Sequence, residues 1–199
     1  KGGLQSHKNI LGRPLPYENG SAINPIGMIN VVDSLAALRK LVFDDGVVTA
    51  AQFHEALAND WQIEDGEALR ERALAAPKYG NDDDYVDAIA ADLYAFWAEQ
   101  VSTHTTVYGG RFIPAAITIG TANWPGGALT GATPDGRRAG ENLAAESLTP
   151  MSGREHLGPG AVLRSAEKID QQRWQSMSLE LFLRPDAFAT PERRDAVAA

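Results

Sequence analysis

The sequence predicts an α/β protein with its helices first and its strands and long loops after. Three observations predict it. Apolar residues recur at helical spacing through much of residues 30–104. Past Gly109-Gly110 that spacing stops, and β-branched and apolar residues run together over 112–123. Two long stretches, 1–29 and 143–160, carry neither period and are rich in Gly, Pro and polar residues.

Residues 1–29, punctuated by Gly12, Pro14, Pro16, Asn19, Gly20, Asn24, Pro25 and Gly27, read as an extended loop. A helix is expected over 30–43, where Val31, Val32, Leu35, Leu38, Leu41 and Val42 form one apolar stripe before Asp44-Asp45-Gly46. Thr49 stands three residues before Gln52, the capping-box spacing in which each side chain satisfies the other's backbone N–H, so a short helix follows over 50–59. Strong helix formers fill 64–75, with Glu64 and Glu67 ahead of Arg70 and Arg72 as the helix dipole prefers, and Pro77 stops that helix. The longest helix is expected over 83–102, burying Val86, Ile89, Ala90, Leu93, Phe96, Trp97 and Val101.

Beyond it, strands are expected over 112–123, 161–165 and 178–183, the last two separated by the polar stretch 167–175. Thr190-Pro191-Glu192 combines an N-cap, a first-turn proline and a first-turn acid, and so announces a helix that the chain soon cuts short at Ala199. The loop 143–160 is longer than the roughly 15 residues usual in a self-contained domain. Both features lead us to expect one partial domain over 1–199: an extended loop (1–29), a helical part (30–104) and a truncated strand and loop part (105–199).

Composition narrows the function classes. A chain of 199 residues, 44% hydrophobic, is long enough for one ordinary core. Its formal net charge of -8, with Lys and Arg scattered, lacks the clustered basic face that nucleic acid requires. There is no cysteine, hence no disulfide, no thiolate metal site and no thiol nucleophile. No run approaches the roughly 18 apolar residues of a membrane span, and Lys1-Gly2-Gly3-Leu4-Gln5-Ser6 lacks a secretory apolar stretch. A soluble, cytoplasmic protein is expected. Its first residue is Lys1 and not Met, which places the natural amino terminus upstream in this reading.

The motifs admit plain and sharp readings. Asn81-Asp82-Asp83-Asp84 gathers carboxylates of the kind hard cations favour, but its spacing does not fit an EF-hand loop. Capping of the following helix by Asn81 or Asp82 accounts for it better. Thr133-Pro134-Asp135-Gly136 is a tight turn by residue type, followed by Arg137 and Arg138, which are either solvated or an anion clamp. Gly126-Gly127 lacks the Gly-Lys-Ser/Thr ending of a phosphate loop, and no Gly-x-Ser-x-Gly is present. His7, His54, His104 and His156 show no ligand spacing, and Trp61, Trp97, Trp124 and Trp174 read as packing residues. No catalytic residue and no metal ligand is assigned.

Two segments are too irregular to be products of helix or strand period: residues 77–87, opening Pro77-Lys78-Tyr79-Gly80-Asn81-Asp82-Asp83, and residues 131–140, holding Thr133-Pro134-Asp135-Gly136-Arg137-Arg138. Both resemble signature stretches of the glycyl radical enzymes, the pyruvate formate-lyase and glycerol and diol dehydratase family. Residues 33–44, Gly109-Gly110-Arg111-Phe112-Ile113-Pro114, residues 153–165 and Leu181-Phe182-Leu183-Arg184-Pro185 follow in family order, so ordered matches run from about residue 20 to 188.

The resemblance implies an α/β barrel of two half-barrels around the substrate, a glycine that stores a radical and a cysteine that takes hydrogen from it. The cysteine belongs upstream of this segment and the glycine, in an Arg-Val-x-Gly-Tyr-type stretch, downstream; the sequence holds neither. It therefore implies an interior to C-terminal part of the catalytic domain of a lyase of anaerobic metabolism, dehydratase-like or formate acetyltransferase-like, that is not catalytically complete by itself. The parent would act on a small polar substrate as a homodimer, with its radical installed by an iron-sulfur activating enzyme using S-adenosylmethionine; this chain would bind no cofactor. Thr118, Thr121 and Asn123, on the expected barrel strand, are substrate-pocket candidates. Pro77, Tyr79, Gly80, Asn81, Asp82 and Asp83, with Thr133, Pro134, Asp135, Gly136, Arg137 and Arg138, are implied to be architectural. The alternative is a non-catalytic partner or scaffold protein of the same fold.

Overall fold

Helix α1 (Met28–Leu38) runs on without a break into a π-helical turn, Arg39–Asp44, and this composite helix is the spine of the molecule. The computed structural model describes residues 21–107, 109–117, 122–181, 183 and 188–198, with only the backbone of 196–198. The helix starts earlier than its apolar pattern suggested, and strand β1 (Ala22–Ile23) precedes it within what reads as loop. Its buried face also differs from the expected stripe: Ile29, Asn30, Val32, Asp33 and Ala36 point inward, while Val31 and Leu35 are 45% and 41% exposed. Asn30 and Asp33 occupy inward positions for hydrogen bonding, which an apolar count cannot see. The wider π turn then shifts the phase of the helix and delivers Leu41 to a second cluster.

Helix α2 (Ala50–Ala58) opens with the expected capping box: Thr49 Oγ1 accepts from Gln52 N at 3.3 Å and Thr49 N donates to Gln52 Oε1 at 3.1 Å. Helix α3 (Gly66–Ala75) ends ahead of Pro77. The longest helix, α4 (Asp84–Thr103), is capped by Asp83, whose carboxylate accepts from Tyr85 N at 2.9 Å. The cap thus falls to neither Asn81 nor Asp82. On α4 the expected buried Phe96 is 57% exposed, and Asp87 takes an inward position.

Strand β1 pairs in parallel with β2 (Ile113–Pro114), the intervening chain crossing over through α1 to α4, and a parallel bridge joins Ala116 to Met177. A parallel pair joined by helices is an α/β unit. Of the strand expected over 112–123, only this short piece is extended; residues 118–121 lie outside the described residues, and Asn123 opens helix α5 (Asn123–Ala128). The strand expected at 161–165 is instead helix α6 (Gly158–Glu167), with Pro159 in its first turn and Ala161, Val162, Ser165 and Ala166 buried along one side. A five-residue apolar run is too short for period to separate the two states.

Residues 178–181 form no strand. They are held by the long loop instead: Leu148 N donates to Ser178 O at 3.0 Å and Glu180 N to Thr149 Oγ1 at 2.8 Å. Helix α7 (Pro191–Ala198) begins as expected after Thr190, whose Oγ1 accepts from Arg193 N at 3.3 Å.

Two apolar clusters result. The larger packs Ile29, Val32 and Ala36 of α1 against Val86, Ala90 and Tyr94 of α4, with the Tyr94 and Trp174 rings 5.5 Å apart. The smaller joins Leu41, Phe53, Ala56, Trp61 and Ala73, with Phe53 and Trp61 edge to face at 5.8 Å. Residues 129–157 contain neither helix nor strand, so their polar backbone must be met by side chains.

Candidate functional site

The two irregular motifs meet on the buried polar face of α1. Asn30 Nδ2 donates to Asp135 Oδ2 at 2.8 Å, and Asn30 Oδ1 accepts from Ala144 N at 2.7 Å. Asp33, three residues on and therefore on the same face, accepts from Tyr79 N through Oδ1 at 2.9 Å. The sequence reading missed both anchoring side chains. The available signal was a pair of polar residues at i and i+3 inside an otherwise apolar helix.

At the tight turn, Asp135 Oδ1 accepts from Thr133 Oγ1 at 2.5 Å and Arg137 N at 3.3 Å. Gly136 has φ 94°, and a Cβ there would lie 2.5 Å from Leu74 Cδ2, so only glycine fits. Arg137 is fully buried, and all five of its guanidinium N–H groups are used. Nε donates to Thr133 Oγ1, Nη1 to the carbonyls of Arg138 and Glu141, and Nη2 to those of Thr130 and Gly131. Arg138 reaches Glu67 and the Asp60 carbonyl. Neither the anion clamp nor a pair of solvated arginines describes this arrangement. Arg137 is a cross-link that satisfies a loop with no ladder of its own.

The first motif is built the same way. Lys78 Nζ donates to Ala73 O at 2.7 Å and Ala76 O at 2.9 Å, closing the carbonyl end of α3 where a cation is favoured. Gly80 (φ 92°) lies so close to Pro150 that a Cβ would come within 2.3 Å of its Cγ. Asn81 donates to Arg154 O at 2.9 Å and accepts from His156 N at 2.7 Å. Asp82 pairs with Arg164 at 2.7 Å and Lys168 at 2.9 Å, and Lys168 also reaches Asp84 at 2.7 Å and Asp87 at 2.9 Å. The acidic run is thus pinned to α6 by cations. Among the described residues no group of three or more His, Asp or Glu is placed to hold a metal ion.

Burial pushes the Asp33 carboxyl up to about 7 against the pull of Lys78 and the Tyr79 N–H, and pushes the Lys78 ammonium down to about 8 against the pull of Asp33. Bonds from Arg164 and Lys168 hold Asp82 below the usual carboxylate range, whereas burial raises Asp87.

A cavity of about 250 Å³ opens beside this framework, between α5, the loop 142–159 and Glu180, Leu181 and Leu183. Asn123, Thr149, Glu155 and Glu180 line it together with Leu143 and Val162. Asn123 is buried at the first turn of α5; Nδ2 donates to Leu143 O at 3.4 Å and Oδ1 has no partner among the described residues. Thr118 and Thr121 lie outside the described residues. No described helix is long and apolar enough to cross a membrane.

Residues 15–126 match the family described as pyruvate formate lyase-like. Over 151 residues the chain is 43% identical to the probable dehydratase YbiW of Escherichia coli K12, covering 72% of this chain and 18% of that protein. It is 34% identical over 207 residues to the indoleacetate decarboxylase of Tractidigestivibacter scatoligenes, covering 91% of this chain and 24% of that one. Its fold matches the glycerol-bound B12-independent glycerol dehydratase of Clostridium butyricum with a TM-score of 0.80 at 31% identity, over 89% of this chain and 22% of that one. The chain thus spans between 18% and 24% of the length of these relatives. With the family matched over more than half of its residues, and a parallel α/β arrangement that reproduces part of the glycyl radical enzyme barrel, the chain belongs to the pyruvate formate lyase-like family of glycyl radical enzymes.

Proposed function

We propose that this chain is an interior part of the catalytic domain of a glycyl radical lyase, dehydratase-like in its chemistry and acting on a small polar substrate. The observation that carries the reading is the similarity to a probable dehydratase at 43% identity, supported by the fold match to a glycerol dehydratase. The alternative of a non-catalytic partner gains no support from relatives that are dehydratases and decarboxylases.

The chain has no cysteine and no Arg-Val-x-Gly-Tyr stretch, so the hydrogen-abstracting thiol and the radical glycine belong to the rest of the parent protein in this reading. The parent is a cytoplasmic homodimer of anaerobic metabolism, and its radical is installed by an iron-sulfur activating enzyme that uses S-adenosylmethionine. Within this chain, residues 77–83 and 133–138 hold architecture, and Thr118, Thr121 and Asn123 are the substrate-pocket candidates. A cavity of about 250 Å³ with an unpaired buried amide oxygen suits a small molecule bearing hydroxyl or amine donors.

The test is the coding locus across both ends of the segment. An open frame reaching an upstream cysteine loop and a downstream glycine loop supports the reading. Start and stop codons bounding these residues overturn it in favour of a non-catalytic protein of the same fold.

A further inference from the structure

Helices α2 and α3 leave between them an open groove of about 620 Å³. Its floor is apolar: Val48, Ile63 and Leu69 are half-buried against the smaller cluster, and Val47 beside them is 45% exposed. Glu55, Glu64 and Asp65 stand exposed at its edge, opposed by Arg72 alone. The turn joining the two helices is locked in place. Trp61 is buried, its Nε1 donates to Arg137 O at 3.2 Å, and a Cβ on Gly66 would lie 2.1 Å from Trp61 O. The groove is therefore preformed, and an occupant does not have to order it.

The charge around it is uneven. Residues 44–76 hold eight carboxylates and two arginines. Asp44 accepts from the Tyr85 hydroxyl, Asp45 pairs with Lys40, Asp60 accepts from Ala139 N, and Glu67 pairs with Arg70 and Arg138. Glu55, Glu64, Asp65 and Glu71 have no side-chain partner among the described residues, and the first three of these line the groove. The unpaired carboxylates of this stretch thus gather on its one apolar trough.

We propose that this groove docks a Lys- or Arg-bearing amphipathic helix of a second, separate protein. An apolar floor with a carboxylate edge is complementary to a helix that carries one apolar stripe flanked by cations. An extended segment does not fit, because it needs a free strand edge and the groove is walled by helices whose backbone groups are bonded within. The remainder of a longer parent chain would cover a permanent seam, and permanent interfaces are apolar. The groove along the outward side of α1, lined by Ile26, Val31, Leu35, Pro134 and Leu143 with no charged side chain, is of that kind. Three unpaired carboxylates make the α2–α3 groove a reversible site, at which opposite charge speeds encounter and selects the partner.

The test is an anisotropy titration of the full 199-residue chain with a fluorescein-labelled peptide of about 16 residues, leucine at helical spacing and lysine elsewhere, at about 0.1 M salt. Saturable binding is expected. Glu55→Lys with Glu64→Lys should weaken it at least about tenfold, and Glu99→Lys with Glu167→Lys, an equal change of charge at exposed positions on α4 and α6, less than about twofold. A peptide with serine in place of leucine, or glutamate in place of lysine, should not bind. No binding, equal weakening by the two pairs of substitutions, or retention of the serine peptide overturns the proposal. So does a dimer of the chain that Glu55→Lys with Glu64→Lys dissociates, which would make a second copy the occupant. Amide resonances of the unaltered chain give a reading that needs no variant: shifts on adding the peptide should concentrate in residues 47–72, and shifts spread evenly over the chain overturn the proposal. Binding present in this chain and absent from the full-length parent would give the groove to the parent's own residues and overturn it equally. None of these outcomes depends on whether the parent is a radical lyase.

Discussion

Asn30 and Asp135 stand 105 positions apart and share a buried hydrogen bond of 2.8 Å, the amide Nδ2 donating to the carboxylate Oδ2. The same amide accepts from Ala144 N at 2.7 Å, so one side chain holds both the tight turn and the loop that follows it. One helical turn on, Asp33 holds Tyr79. Helix α1 is therefore a spine on which two sequence-distant motifs are hung by polar contacts, with the apolar cluster packed beside them.

Truncating Asn30 to alanine leaves an acceptor at Asp135 and a buried donor at Ala144 unmet. At about 1–3 kcal/mol for each unsatisfied group, the loss should be about 2–6 kcal/mol by urea unfolding. The adjacent Val31→Ala, at a position 45% exposed, should cost less than about 1 kcal/mol. Equal losses at the two positions would mean that the apolar stripe, and not the polar face, anchors the helix.

That contrast also measures what was legible in the sequence. Periodicity located α1 and α4, helix formers with acids ahead of arginines located α3, and Thr49 with Gln52 located α2 through a cap whose two bonds are both present. The inward face of α1 was misread because Asn30 and Asp33 are buried for hydrogen bonding, not for hydrophobicity. Residues 161–165 were misread as a strand because a short apolar run carries no period, although Pro159 stood in the first turn. The motifs themselves were legible as turns and charges. Their partners were not, since the Asn30–Asp135, Asp33–Tyr79 and Asp82–Arg164 contacts each join residues far apart in sequence.

Arg137 and Arg138 look equivalent in sequence and should behave differently. Arg137→Lys keeps the charge but drops from five donors to three, leaving at least two loop acceptors without partners, so about 2–4 kcal/mol should be lost. Arg138→Ala removes a half-exposed pair with Glu67 and should cost under about 1 kcal/mol. Thermal unfolding of the two variants compares them directly; an Arg137→Lys protein that melts with the unaltered one would show that its carbonyl partners find water instead.

Gly80→Ala should be among the most damaging single-methyl additions. It must adopt a left-handed φ of 92° and overlap Pro150 Cγ at 2.3 Å, combining about 1–2 kcal/mol of backbone strain with about 1–3 kcal/mol of overpacking. Gly46→Ala isolates the first contribution, because its φ is 60° with nothing within 4 Å of the new Cβ, and about 1 kcal/mol is expected. Matching losses in denaturant midpoints would remove the close approach of 77–83 to Pro150 from the account.

Lys168 binds three carboxylates, and the pH dependence of removing it follows from two of them. Asp87 is buried and already raised by that burial, with Lys168 and the Ser165 hydroxyl as its offsetting partners. Without the ammonium its charged form is worse off still, while its protonated form, populated at low pH, is little affected. Asp82 is held low by Arg164 and Lys168, so its contribution is present near neutral pH and lost as pH falls through its lowered value. The Asp87 effect fades on the way to pH 4 while the Asp82 effect largely persists there, so Lys168→Met should cost about 1–3 kcal/mol near pH 7.5, below the 3–5 kcal/mol of a fully buried pair because Lys168 keeps 32% exposure, and less near pH 4. Urea unfolding at the two pH values tests it. A loss that is the same at both would mean that Lys168 acts through the packing of its aliphatic stem, and that Asp87 is not a buried charge in the folded protein.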